Sequence, residues 1–127
     1  MNAGDSMISA ALRSRIRDLG SPAENQYHCV MEFDPDFTGF AGHFEGNPIV
    51  PGVCLIEAAR LIAEEAAGKA LRTVKIAQSR FRRPIFAGET ADATVKLTDL
   101  GKAMKIQAEF RVDGATSAQM RLEAELL

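Results

Sequence analysis

The sequence predicts an α+β fold in which an antiparallel sheet wraps its apolar face around one buried central helix. Three observations carry this reading. Residues 52–67, from Gly52 to Ala67, are apolar nearly all round at helical spacing, which suits a helix in the middle of a structure. Beyond residue 73, apolar and polar residues alternate through four successive stretches, the pattern of strands with one buried face and one wet face. One more alternating stretch precedes the helix. A sheet of this kind must cover its apolar face, and the helix is the natural filler. That is the shape of a hot-dog fold.

The elements follow in order. Residues 8–18 read as a short amphipathic helix ended by Gly20 and Ser21-Pro22, so residues 1–22 form an N-terminal helix and linker. From Gln26 to Phe33, Tyr27, Cys29, Met31 and Phe33 fall on one side of a strand. His28 falls on the other, beside Gln26 and Glu32, where a solvated role is expected. Asp34 to Gly52 is a long irregular segment punctuated by Gly39, Gly42, Gly46, Pro48 and Pro51; Phe37, Phe40 and Phe44 argue that it is ordered, because their rings need burial. Gly68 suits a helix terminator. Strands are then expected from Val74 to Phe81, Thr90 to Leu100, Met104 to Val112 and Ala118 to Leu126, with a turn over 84–89 and a tight Asp113-Gly114 hairpin. With no internal repeat, residues 1–127 read as a single domain.

Composition narrows the classes. The chain is 46% hydrophobic and 25% charged, ordinary values for a globular protein. The longest apolar run, Val53 to Ala67, is interrupted by Glu57, Arg60, Glu64 and Glu65, so membrane insertion is not expected. Met7 to Leu12 runs into Arg13, Arg15 and Arg17, unlike a secretory leader, which favours the cytoplasm. Two Cys and two His without paired spacing predict no metal site, and no disulfide is expected in a reducing compartment. Cys54, near a helix start, reads as a small apolar filler in preference to a low-pKa thiol. The net charge of −2 argues against nucleic-acid binding by the whole molecule. Charge is nonetheless uneven: −5 over residues 1–59, +5 over 60–83 and −2 over 84–127. A local basic surface suits an acidic partner or a phosphate-bearing ligand; a solvated charged face is the bland alternative.

Function concentrates in residues 42–58. His43 lies in a Gly/Pro-rich loop, and Glu57 follows fourteen residues later inside the apolar helix. An imidazole that titrates near neutrality and a carboxyl group in a dry place are the parts acid–base chemistry needs. The Pro51-Gly52 step opens the helix between them, where a carbonyl oxygen could meet free backbone N–H groups. Burial would raise the Glu57 carboxyl pKa and keep it protonated. Arg60, at i+3, would oppose this if it paired with Glu57; Glu64, at i+4 from Arg60, is the competing partner, and Arg60 is expected to turn toward it and solvent.

Gly42-His43-Phe44, Gly46, Pro48, Pro51-Gly52-Val53 and Glu57, with Phe81-Arg82-Arg83-Pro84 and Gly88 downstream, resemble the signatures of β-hydroxyacyl-acyl carrier protein dehydratases of the FabZ/FabA type. The likeness covers roughly residues 33–127. It implies a hot-dog fold and a homodimer at minimum, open to higher assembly, in which each site takes its His from one chain and its Glu from the other. It implies water elimination from a (3R)-3-hydroxyacyl thioester on the phosphopantetheine arm of acyl carrier protein, with no other cofactor. His43 would then take the α-proton and Glu57 protonate the departing hydroxyl, while Gly52 and Val53 bind the thioester oxygen. Phe44, Pro51 and Phe81 become candidates for the acyl tunnel. Arg80, Arg82 and Arg83 become candidates for carrier docking, with Arg80 and Arg82 sharing one strand face. Glu57, where the family also admits Asp, points to the FabZ-like branch. Glu45 in place of the usual Pro, and Arg60 where a small apolar residue is common, are departures. Two alternatives remain: a hot-dog acyl thioesterase, and a non-catalytic acyl-binding partner subunit.

Overall fold

The structure, a computed structural model, describes residues 6–41 and 46–127. A short helix α1 (Met7–Arg13) is followed by strands β1 (Ile16–Ala23) and β2 (Gln26–Glu32), the long helix α2 (Gly52–Ala67), and strands β3 (Leu71–Phe81), β4 (Thr90–Asp99), β5 (Ala103–Val112) and β6 (Ala115–Leu126). The six strands form one antiparallel sheet in the order β1-β2-β4-β5-β6-β3. The hot-dog reading holds: α2 packs into the apolar face of the sheet, and α1 packs on α2.

The helix forms where the sequence places it. Pro51 is its N-cap in extended geometry, and Gly68 ends it in the left-handed region (φ 65°), its N–H donating to Glu64 O at 2.8 Å. Cys54, Leu55, Ala58, Ala59, Leu61, Ile62 and Ala63 are buried against the sheet. The inward residues of β4, β5 and β6, such as Val95, Ile106, Phe110 and Leu122, close over them. Asp113 and Gly114 both take positive φ, the geometry of a primed two-residue hairpin.

Residues 14–23 differ from expectation. The amphipathic helix stops at Arg13, and Ile16–Ala23 is an edge strand rather than a helix end and linker. Ile16 and Leu19 both pack against the core at a spacing of three, which mimics a helix. A break in register between Arg17 and Gly20, with Asp18 at φ 56°, resets the alternation and produces that spacing in a strand. Pro22 is tolerated because β1 is at the sheet's edge.

The long segment before α2 is anchored by rings, as its Phe content predicts. Phe33, Phe37 and Phe40 are buried and stack edge to face, with centroids 5.4 and 5.2 Å apart. Arg15 lies over Phe37 at 5.1 Å while pairing with Asp34 at 3.0 Å. Beyond this cluster, Val50 N donates to Ile85 O at 2.8 Å and Ala87 N to Pro48 O at 3.0 Å, tying the approach to α2 to the 84–89 turn. Phe44, a tunnel candidate, lies outside the described residues. Replacing Phe37 with Ala should cost about 3–5 kcal/mol, read as a lower denaturant midpoint with an unchanged slope; a loss under 1 kcal/mol would mean the ring cluster does not hold this segment.

Candidate active site

Three elements meet around the first two turns of α2. Gly52 and Val53 open the helix, so their N–H groups have no intrahelical acceptor. The ring of Phe81, the last residue of β3, sits over Gly52: a Cβ built there would stand 2.9 Å from it. Any side chain at position 52 would therefore displace the Phe81 ring from this place. Gly52, Phe81, Ile49, Leu55, Arg82 and Ile85 line a groove of about 240 Å³, so two of the expected binding residues, Gly52 and Phe81, share one concavity. Pro51, another tunnel candidate, is the N-cap of the helix and does not line this groove. His43 lies outside the described residues.

Glu57 stands one turn beyond Val53 on the same face of α2. Its surroundings overturn the expectation of a dry, protonated carboxyl. The side chain is 29% exposed, and Arg60 grips it with both prongs, Nε to Oε1 at 2.7 Å and Nη2 to Oε2 at 2.8 Å. Ser9 Oγ donates to Oε2 at 2.6 Å. Donors converging on both oxygens are the hydrogen-bonding pattern of an ionised carboxylate. Arg60 thus does not turn away to Glu64 alone. It holds both acids, reaching Glu64 Oε2 at 3.0 Å and donating from Nη1 to Leu71 O at 2.8 Å. Its hydrogen bonds to the Glu57 carboxylate raise the Arg60 pKa above its ordinary value despite partial burial, so the guanidinium stays charged.

The network extends to α1. Arg13 pairs with Glu64 and Glu65, each at 2.8 Å, and Leu71 N donates to Glu64 Oε2 at 2.7 Å. Ser6 caps α1 by accepting from Ser9 N, and its Oγ donates to Ser9 Oγ, both at 3.0 Å. Sequence reasoning missed Ser9 altogether. The available signal was a serine on the buried stripe of α1, three residues before Leu12. A separate cavity of about 340 Å³ opens beside this cluster, lined by Glu57, Arg60, Leu71, Arg72, Thr73 and Leu127. Among the described residues, one chain does not join the Gly52 groove and the Glu57 cavity into a single pocket.

The arginines expected to act together are separated. β3 ends at Phe81, so strand alternation does not extend to Arg82. Arg82 and Arg83 N–H groups both donate to Ser117 O, and their side chains border the Gly52 groove. Arg83 also pairs with Glu89 at 3.2 Å. Arg80 instead faces a polar dish of about 610 Å³ on the outer side of the sheet, opposite Gln119 and near Lys96 and Arg121.

Both thiols are free. Burial, then the negative charge of Glu57, raises the Cys54 pKa, which fits a filler and not a reactive thiolate. His28, on the outer face, lies 3.4 Å from Asp92.

A family model described as ApeI-like, the ApeI dehydratase, matches residues 20–121. The 3-hydroxyacyl-[acyl-carrier-protein] dehydratase FabZ of Allorhizobium ampelinum is 34% identical over 125 residues, covering 91% of this chain and 79% of that protein. The FabZ of Acidiphilium cryptum is 36% identical over 98 residues, covering 69% of this chain, which spans only 59% of that relative's length. The chain belongs to the ApeI-like, FabZ-related dehydratase family. Solved structures extend the likeness of fold. The ApeI:P dehydratase heterocomplex of Xenorhabdus doucetiae aligns with a TM-score of 0.74 at 20% identity, over 87% of this chain and 96% of that one. A thioesterase of Haemophilus influenzae aligns at 0.63 and 17% identity, over 86% and 76%. Ser9 and Arg13 lie outside the family match, whereas Glu57 and Arg60 lie within it.

Burial, then Asp92, pushes the Cys29 thiol up to about 12 from an ordinary 9.0. The folded chain therefore keeps this proton where the unfolded chain loses it. The contribution to stability is intact below about pH 9 and declines as pH rises toward about 12. Cys29→Ala should flatten the fall in denaturation midpoint over that range; parallel curves for both proteins would refute the assignment.

Proposed function

We propose that this chain eliminates water from a 3-hydroxyacyl thioester, presented on the phosphopantetheine arm of an acyl carrier protein, to give the trans-2-enoyl thioester. The observation that carries the reading is the place of Glu57 in a chain of this family: one helical turn from the N–H groups of Gly52 and Val53, on the same face of α2. In this scheme the two N–H groups hold the thioester oxygen as negative charge builds on it. His43 takes the proton from C2, the C3–O bond breaks, and the hydroxyl leaves as water with a proton from Glu57. No metal or further cofactor enters the scheme. Arg82 and Arg83, at the mouth of the groove, are better placed than Arg80 to meet an acidic carrier. Two free thiols suit a cytoplasmic setting. Among the described residues no helix is long and apolar enough to cross a membrane.

A homodimer at minimum completes the reading. The free edge of β3 and the start of α2 carry exposed apolar side chains: Val53 is 74% exposed, Val74 and Ile76 52%, and Phe81 50%. A second copy pairing along β3 would cover them and remove an open sheet edge. It would also bring the Gly52 groove of one chain toward the Glu57 cavity of the other. Ile76→Glu should convert the assembly to monomers in sedimentation; an unchanged mass would place the interface elsewhere.

One observation favours a second reading. Glu57 held as an anion suits activation of water for attack on the thioester carbonyl, the chemistry of a thioesterase. The decisive assay follows enoyl absorbance and free thiol together, with a 3-hydroxyacyl carrier protein as substrate. Enoyl product should form, and His43→Ala and Glu57→Gln should each slow it by about 10²- to 10⁴-fold. Thiol release without enoyl product would move the assignment to a thioesterase. Neither signal, until a homologous hot-dog chain is added, would make this a partner subunit.

A further inference from the structure

Arg60 is not required by the acid–base scheme, and it opposes one part of it. A group that protonates a departing hydroxyl must carry a proton at that moment, whereas a two-pronged guanidinium stabilises the same group as an anion. The grip is well built. Arg60 is pinned from behind by Leu71 O and Glu64, Glu64 is pinned in turn by Arg13 and Leu71 N, and Ser9 Oγ donates to Glu57 from the opposite element.

We infer that Arg60, assisted by Ser9, is a positioning residue that holds Glu57 as the anion in the resting protein, so that the alkaline limb of water elimination by this chain is displaced to lower pH. This rests on the dehydration reading above. Among the described residues, the charged and titratable groups facing Glu57 include Arg60, Glu64 and Cys54 from α2, Arg13 from α1 by way of Glu64, and Arg72 from β3 across the shared cavity. Glu64 is itself engaged by Arg13, Arg60 and Leu71 N, and Cys54 stays neutral because burial raises its pKa. Arg72 is engaged by Glu125. The bidentate contact from Arg60 is the strongest of these influences on Glu57, because it is in direct contact and only 15% exposed.

The sign of the effect follows. An acid that acts in its protonated form loses activity as pH rises, and a neighbouring cation moves that loss to lower pH. Removing the cation should move the alkaline limb of the kcat profile upward. The test compares kcat against pH from 5 to 9 for the full chain and for Arg60→Met, Arg60→Lys and Ser9→Ala, each first checked for folding by thermal melting. Arg60→Met should turn over roughly tenfold faster than the parent at pH 8, with the limb displaced to higher pH. Arg60→Lys, which keeps the charge, should stay near the parent, and Ser9→Ala should move the limb the same way by less. If Arg60→Met does not fold, Arg60→Gln, which keeps an N–H for Leu71 O, takes its place. Superimposable profiles for parent and variant, or a variant slower at every pH, would overturn the inference while leaving dehydration standing. Absence of enoyl product from every folded protein at every pH would remove the dehydration reading, and this inference with it.

Discussion

Burial of α2 against the concave side of the sheet sets the geometry of everything else. Ala58, Ala59 and Ala63 have no exposed surface, and their methyl groups allow the sheet to close tightly around the helix. Leu55, Leu61 and Ile62 supply the bulk on the same side, each contributing about 1.5–3 kcal/mol on burial. The alternation of β4, β5 and β6 answers this helix directly, since every inward position from Ala91 to Leu97 and from Met104 to Val112 is buried. A helix so enclosed has a fixed axis and a fixed rotation. The first turn and Glu57 are therefore held by the core itself.

One stripe of α2 cannot enter the sheet, because it carries Glu57, Arg60 and Glu64. These charges lie partly shielded between α1 and the start of β3, where unpaired ions would be costly. The structure meets that constraint by pairing. Arg60 bridges the two acids, Arg13 covers Glu64 from α1, and both backbone groups of Leu71 are used. The same set of bonds locks α1 onto α2 and fixes where β3 begins. The proposed catalytic position, Glu57, and a structural junction thus share one network.

That sharing separates the frame of the site from the ionic state of its carboxyl. The glycine at the helix start, the ring above it and the groove beside it belong to the frame. The state of Glu57 does not. It is set by Arg60, one helical turn away, and by Ser9 on a short N-terminal helix that lies outside the family match. Chains with the same frame and different neighbours at these two positions would present the same carboxyl in a different ionic state.

Most of the architecture was legible in the sequence, because it rests on periodicity. The apolar run of α2, the Gly68 stop, the four later strands and the Asp113-Gly114 turn are local patterns, and local sterics enforce them. Strand β1 was not legible: Asp18 in the left-handed region breaks the alternation, and only pairing with β2 reveals Ile16 and Leu19 as strand residues. The site divides along the same line. The sequence by itself determined that Gly52, Val53 and Glu57 share the first two turns of one helix, because that spacing is local. Whether Glu57 is a dry acid or a paired anion was decided only by tertiary structure. Arg60 had two acids within reach at nearly equal helical spacing and holds both, and the groups that complete the arrangement, Leu71 O on Arg60 and Ser9 on Glu57, come from segments distant in the chain.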